Sequence, residues 1–402
     1  MIDLHKLRLI FPFALLLAYG IFHCGYFFMP DYSDHYRLFA RMVFPLGLFT
    51  IVSCFRELRH STLFWVVLTY MLYLLASSLW APEPDWYRLG QKATICVYLI
   101  TLIASTRYLI RWKSEYFNSM MFVFILVATA AAAFNIAHFY SENSFPNTRL
   151  VMYGSLTNQN EFSNIFGIFA ILALAKFQQK RTIAVSLSAA AIAASSLLFI
   201  WLNQSRTAFV ALMLSLLIMV FLSGNVRRGM RWMIGVLFAI SIALVMIFPE
   251  VIEEAMVRGT SLRPQIWLEI WRHAVEAPIL GHGLTTKVAV QFENIRLFET
   301  AHNAYLQVFW QGGLVGLGIF LLLLYVAARQ AWVTGRRDGD MTIFCMLMFT
   351  MIVMLSGVDT LIERPRDQWI LFWLPIALLL AGRQSGKPAG YTIAQRPASN
   401  AS

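Results

Sequence analysis

Runs of apolar residues long enough to cross a bilayer recur along this chain, beginning with "LIFPFALLLAYGIF" just after Lys6 and Arg8. A helix needs roughly 20 such residues to traverse the hydrocarbon core. Backbone N–H and C=O groups inside lipid must be paired within the protein, so each run is expected to be helical. The alternating pattern of a β-barrel is absent. The chain is 59% hydrophobic and 13% charged, whereas a soluble domain carries about 25% charged residues. That excludes a soluble fold. The expected architecture is an all-α polytopic membrane protein with about twelve transmembrane helices. They are placed near 9–29, 38–54, 61–80, 90–106, 117–139, 160–178, 182–202, 207–223, 231–249, 305–328, 341–358 and 368–382. The first run lacks an A-x-A cleavage site and is read as an uncleaved span.

The charges orient these spans. Loops assigned alternately to the N-terminal side contain Lys6 and Arg8, Arg56 and Arg59, Arg107, Arg111 and Lys113, Lys176, Lys180 and Arg181. They go on to Arg227, Arg228 and Arg231, Arg329, Arg336 and Arg337, then Arg383, Lys387 and Arg396. Their acids are only Asp3, Glu57, Glu115, Asp338 and Asp340. The positive-inside rule then predicts an N-in, C-in topology with an even number of spans. The net charge of +11 is thus a topology signal, and no nucleic acid partner is expected.

The predicted organisation is transmembrane helices 1–9 over residues 1–249, an outer loop with short surface helices over 250–304, transmembrane helices 10–12 over 305–382, and a disordered cytoplasmic tail over 383–402. Loops this long are usually functional. Cys24, Cys54, Cys96 and Cys345 show no metal-binding spacing and are read as buried apolar side chains.

Chemistry is expected at the outer face. Arg206 in "NQSRTAF" falls at a membrane edge from which the positive-inside bias otherwise removes arginine, which invites a lipid phosphate; the alternative is a snorkelling side chain. In "SLRPQIWLEIWRHAVEAPILGHG", Ser261 to Pro264 mark a helix start. Trp267, Ile270, Trp271 and Val275 then form an apolar stripe on a helix lying along the membrane surface, near 264–276. Arg263 at that N-terminus suits an anion, because free N–H groups and a guanidinium act together there. Arg258 and Arg272 are weaker candidates of the same kind.

His302 in "ETAHNAYLQVFWQGGLVGLG" can change protonation near neutral pH and so suits a general base; by position alone the reading as an interfacial histidine with no task is the stronger one. Asn303 cannot titrate but can orient a partner. Gly312, Gly313 and Gly316 are read as small residues that let helices approach closely. Asp359 in "SGVDTLIERPRDQ" is able to hold His302 in one tautomer, or is a helix-end carboxylate. Glu161 in "NQNEFSN" is read as favourable to a helix dipole.

Two acidic motifs compete. "DGD" at Asp338–Asp340 fits a turn. Glu83 and Asp85 in "EPD" resemble the acidic pair of some membrane glycosyltransferases that use lipid-phosphate sugars. A transporter is disfavoured, since the notable charges are not at the bilayer midplane and no internal repeat is visible.

"HNAYLQVFWQGGLVG" carries a pattern of His302, Asn303, Gly313 and Gly316 that resembles the O-antigen ligase family, within a superfamily that includes O-antigen polymerases and O-oligosaccharyltransferases. "NQSRTAF" around Arg206, "SLRPQIW" with Arg263 leading to "PILGHG", and "TNQNEFS" near Asn160 look like features of the same superfamily. The resemblance implies transfer of a glycan from undecaprenyl pyrophosphate to a sugar hydroxyl of lipid A-core. It implies His302 as base, Arg206 and Arg263 on the pyrophosphate, and Asn303, Asp359 and Asn160 in support. No cofactor, metal or ATP is expected, because the donor carries its own leaving group. The implied location is the inner membrane of a Gram-negative cell, among membrane lipids, with the site facing the periplasm.

Overall fold

The computed structural model describes residues 4–145, 148–156, 158–179, 182–222, 228–250, 253, 263–286, 288, 290–292, 295–298 and 300–382. Arg258, Ser261 and the predicted tail at 383–402 lie outside the described residues.

The architecture is that of an all-α polytopic membrane protein. Its helices are α1 (Leu4–Phe28), α2 (Tyr32–Leu58), α3 (Thr62–Ser77), α4 (Trp86–Glu142), α5 (Gln159–Gln179), α6 (Ile183–Leu202), α7 (Arg206–Leu222), α8 (Arg228–Ile247), α9 (Arg263–Ala274), α10 (Ala304–Asp338), α11 (Thr342–Val353) and α12 (Trp369–Ala381). A helix stands at each of the twelve predicted positions, because α4 breaks at Lys113 (φ −157°, ψ 98°) and its two arms account for two of them. Seven helices among the described residues are long and apolar enough to cross a membrane, while α7, α11 and α12 are shorter apolar helices. Between α9 and α10 the chain forms a small hairpin, Val290–Phe292 antiparallel to Ile295–Phe298. The sequence reading contained no strand there.

Packing follows small residues, as expected where lipid competes equally for apolar surface. Ala170 and Ala173 of α5 and Ala189 and Ala193 of α6 are buried between extensively packed neighbours. Gly167 leaves room for the Phe349 ring of α11, which a Cβ would strike. Aromatic residues fill the centre; Phe22, Phe39 and Trp369 meet there, with Phe39 and Trp369 edge to face at 5.0 Å.

A helix, α9, stands at the predicted 264–276, but its buried ridge differs from the predicted stripe. Ile266, Ile270 and Ala274 face inward, packed with Val288, Ala301, Phe309 and Trp310, while Trp271 is 52% exposed. The spacing of four is the true contact ridge. Tryptophan at a membrane surface is stable half-exposed, because its ring is amphipathic, so hydrophobicity alone misplaces the face. Trp267 is only partly buried and uses its indole N–H, which donates to Ala301 O at 2.9 Å.

Candidate functional site

A polar cluster forms where the start of α10, the strap 354–368 between α11 and α12, the start of α5 and the α6–α7 turn converge. His302 immediately precedes α10. Asn303 caps that helix, its Oδ1 accepting from Tyr305 N at 3.0 Å and Leu306 N at 3.1 Å. This satisfies N–H groups that have no partner within the helix. Asn303 therefore orients the backbone at His302. His302 itself takes a left-handed conformation, φ +47°, which costs a non-glycine residue on the order of 1–3 kcal/mol and persists only where neighbours hold it. The neighbours do so. Ala301 N donates to Gln307 Oε1 at 3.1 Å, and Ala304 N donates to Met354 O at 3.0 Å.

That geometry brings His302 Nδ1 to 2.9 Å from Asp359 Oδ1. The two groups approach within contact distance, and Asp359 Oδ1 is buried with no well-aligned hydrogen bond among the described residues. Burial pushes the Asp359 carboxyl up, but His302, Arg366 and Thr300 together outweigh it and hold the group below its ordinary value. The His302 side chain is 31% exposed, so a substrate is able to reach its ring. Thr207 Oγ1 and Ser356 Oγ, 2.7 Å apart, join the start of α7 to the strap.

Arg263 lies within electrostatic reach of Asp359, and Arg206 within reach of Arg263. Burial pushes the Arg263 guanidinium below its ordinary value, Arg206 pushes it the same way, and Asp359 opposes them. Arg206 is exposed at the first position of α7. It follows Gln204, whose φ of +54° makes a tight turn. Two guanidiniums held close repel each other, and an anion between them relieves that repulsion. Arg272, by contrast, pairs with Glu269 on the exposed face of α9.

Asn160 Oδ1 accepts from Arg149 Nη2 at 2.7 Å, and Arg149 Nε donates to Asn203 O at 2.7 Å. Asn160 thus braces the turn before Arg206. Glu161, which the sequence suggested only as a dipole partner, is buried and pairs with Arg366 Nη2. Next to it, Asn164 Nδ2 donates to Asp367 Oδ2 at 2.7 Å. Arg366 and Asp367 were visible in "ERPRDQ" beside Asp359, but their partners lie far back in the chain. Among the described residues no group of three His, Cys, Asp or Glu side chains is arranged to hold a metal ion.

The glycines divide into two roles. Gly312 and Gly316 pack on Tyr73 of α3, whose hydroxyl donates to Gly312 O at 2.8 Å; this is the close approach expected. Gly313 does something else. Its φ of 61° and ψ of −160° break α10, in a region open essentially only to glycine. The groups released by the break are taken up by "PILGHG". Leu314 N donates to Pro278 O at 2.8 Å, His282 N to Trp310 O at 2.8 Å, and Gly283 N to Gln311 O at 2.9 Å. A Cβ on Gly281 or Gly313 would collide with the other segment's backbone. The break therefore locks the "PILGHG" segment onto the helix that His302 precedes.

Of the competing acids, Asp85 caps α4, accepting from Arg88 N at 2.9 Å, and pairs with the Arg88 side chain. In "DGD", Gly339 ends α10 in a left-handed conformation and Asp340 Oδ1 accepts from Thr342 N at 3.1 Å, so that motif is a turn.

Fold and site together define a polytopic membrane protein with an imidazole–carboxylate pair and two guanidiniums gathered at one end of its helix bundle. The O-antigen ligase family model matches residues 190–321, a stretch that contains Arg206, Arg263, His302, Gly313 and Gly316. The chain is also 28% identical, over 380 residues, to a protein named O-antigen ligase from Pseudomonas aeruginosa, covering 93% of this chain and 92% of that one. Both matches support the O-antigen ligase family, the one its motifs resemble.

Proposed function

We propose that the protein is an O-antigen ligase. It moves O-antigen polysaccharide from undecaprenyl pyrophosphate to a sugar hydroxyl of lipid A-core, at the periplasmic face of the inner membrane, in lipopolysaccharide biosynthesis. The observation that carries this reading is the 2.9 Å contact of His302 with Asp359, beside the paired charges of Arg206 and Arg263.

The donor pyrophosphate sits on Arg206 and Arg263, for which guanidinium is suited by its planar fork of donors. Asp359 faces Nδ1 of His302 and leaves Nε2 to accept a proton. The acceptor hydroxyl loses its proton to Nε2 as its oxygen bonds to the anomeric carbon. The bond from that carbon to the pyrophosphate oxygen breaks, and its electron pair leaves with undecaprenyl pyrophosphate. The arginines stabilise the charge that develops there. One displacement inverts the anomeric configuration. The donor supplies the driving force, so ATP has no step in this scheme.

The same architecture suits an O-antigen polymerase, which differs in its acceptor. The name of the Pseudomonas aeruginosa relative, matched over nearly the full length of both chains, favours the ligase. A gene deletion complemented with His302→Ala and read on lipopolysaccharide gels tests the choice. Long undecaprenyl-linked polymer retained but absent from lipid A-core supports the ligase. Single repeat units still attached, with long chains lost, indicates the polymerase. Normal capped lipopolysaccharide from His302→Ala removes His302 as the base, and a trapped covalent glycosyl-enzyme excludes the single displacement.

A further inference from the structure

The first turns of α5 carry two polar faces. Residues three apart share a side of a helix. On one side Asn160 meets Arg149, and Ser163 Oγ donates to Asn203 Oδ1 at 2.9 Å, bracing the turn that leads to Arg206. On the other side Glu161 and Asn164 meet the consecutive strap residues Arg366 and Asp367. One short helical segment therefore ties the arginine side of the site to the strap that carries Asp359.

The Glu161–Arg366 pair is unusual in its setting. Glu161 is 2% exposed, and its second oxygen, Oε2, is buried with no hydrogen-bond partner among the described residues. A buried ion pair is weak evidence for stability, because apolar residues of similar volume often serve as well. An incompletely satisfied one is weaker still. Its location supplies another reason. Tyr26 Oη donates to the Arg366 carbonyl at 3.0 Å, so Arg366 is fixed at both its backbone and its side chain, in the segment that presents Asp359. The titratable groups facing Asp359 are His302 from the start of α10, Arg366 and Asp367 from the strap, Glu161 from α5 and Arg263 from α9.

We propose that Arg366, clamped by Glu161 at its side chain and by Tyr26 at its carbonyl, is a positioning residue for the transfer: it fixes the strap so that Asp359 stands against His302. This rests on the reading of His302 as the base. Arg366 stabilises the Asp359 anion, whereas Glu161, a like charge, opposes it.

The test uses the full-length protein in proteoliposomes, with undecaprenyl-pyrophosphate-linked O-antigen and lipid A-core as substrates. Arg366→Gln lowers kcat by roughly 10²-fold, the size expected of a misplaced catalytic group, with donor KM unchanged. It also moves the acid limb of the kcat profile to higher pH, by on the order of one pH unit. Glu161→Gln retains an oxygen for Arg366 but removes the opposing charge, and moves the limb to lower pH. Arg366→Lys keeps the positive charge, so the limb stays in place while kcat remains reduced. Should Arg366→Gln fail to insert into the membrane, the other two variants carry the test. Limbs that stay fixed, or that move in the same direction in both Gln variants, overturn the proposal. His302→Ala in the same assay separates the two levels: if it is active, the base assignment fails, and if it is inactive while the limbs stay fixed, only the role of Arg366 fails.

Discussion

His302 Nδ1 and Asp359 Oδ1 are 2.9 Å apart, although two helices, α10 and α11, separate them along the chain. The pairing depends on the negative charge of Asp359 as well as on its shape. Asp359→Asn conserves the shape, removes the charge and is able to present an N–H to the imidazole, favouring the wrong tautomer. Transfer is expected to fall by about 10²–10⁴-fold, the scale of a general base, with normal membrane insertion. Initial rates in proteoliposomes alongside an insertion assay check this; near-wild-type kcat would show that Asp359 does not orient His302.

Arg206 and Arg263 are expected to respond differently from a generic positive surface. An ammonium group cannot form the bidentate pair of a guanidinium. Arg206→Lys and Arg263→Lys should each lose about 10²-fold in rate, comparable to removing one donor from a charge-stabilising site. Measuring kcat and donor KM for each variant separates donor binding from stabilisation of the leaving group. Full activity in Arg206→Lys would reduce it to a membrane-edge anchor.

Gly313→Ala is expected to be the most damaging of the glycine substitutions in the motif. Its φ of 61° disfavours any side chain, and the new Cβ meets the Ile279 backbone. A loss of about 1–3 kcal/mol from backbone strain alone is expected, with detachment of the "PILGHG" segment adding to it. Gly318→Ala is the control, because nothing lies within 4 Å of its Cβ position. Thermal unfolding in detergent should separate the two clearly; equal melting temperatures would argue against the locked break.

Asp367 gives a pH-dependent expectation with a definite sign. Burial raises its carboxyl well above the ordinary value, Glu161 and Asp359 push it the same way, and Asn164 and Arg366 oppose them. A carboxyl whose folded value is raised contributes stability that is complete below its unfolded value, near pH 4, and lost as pH rises through the folded value. Asp367→Asn escapes that loss and retains an oxygen for Asn164. Its melting temperature relative to the parent protein should therefore grow as pH rises above about 4. A difference that is constant or shrinks with pH would contradict the assignment.

Several residues of the candidate site are conspicuous in the sequence. Arg206 stood out because the positive-inside bias removes arginine from outer helix ends, and His302 because an imidazole precedes an apolar run. These are local signals of residue type against a strong background. The role of Asn303 was partly legible, since asparagine before a helix is a natural cap, but the left-handed backbone at His302 that the cap follows was not. Glu161 reads from the sequence as a helix-dipole residue, because its partner Arg366 lies 205 positions away and carries no pattern that points back to α5.

The sequence by itself determined the solvent, the helical form and the positions of the helices, because lipid leaves an apolar run of spanning length with one way to pair its backbone. Only the tertiary structure decided which face of α9 is buried, that Gly313 breaks α10 to receive "PILGHG", that Arg366 reaches Glu161, and that Asp359 of the same strap reaches His302. Those features depend on which segments meet in space. A broken helix is stable only when another segment takes up its freed backbone groups, and a buried charge only when a partner arrives from elsewhere in the chain.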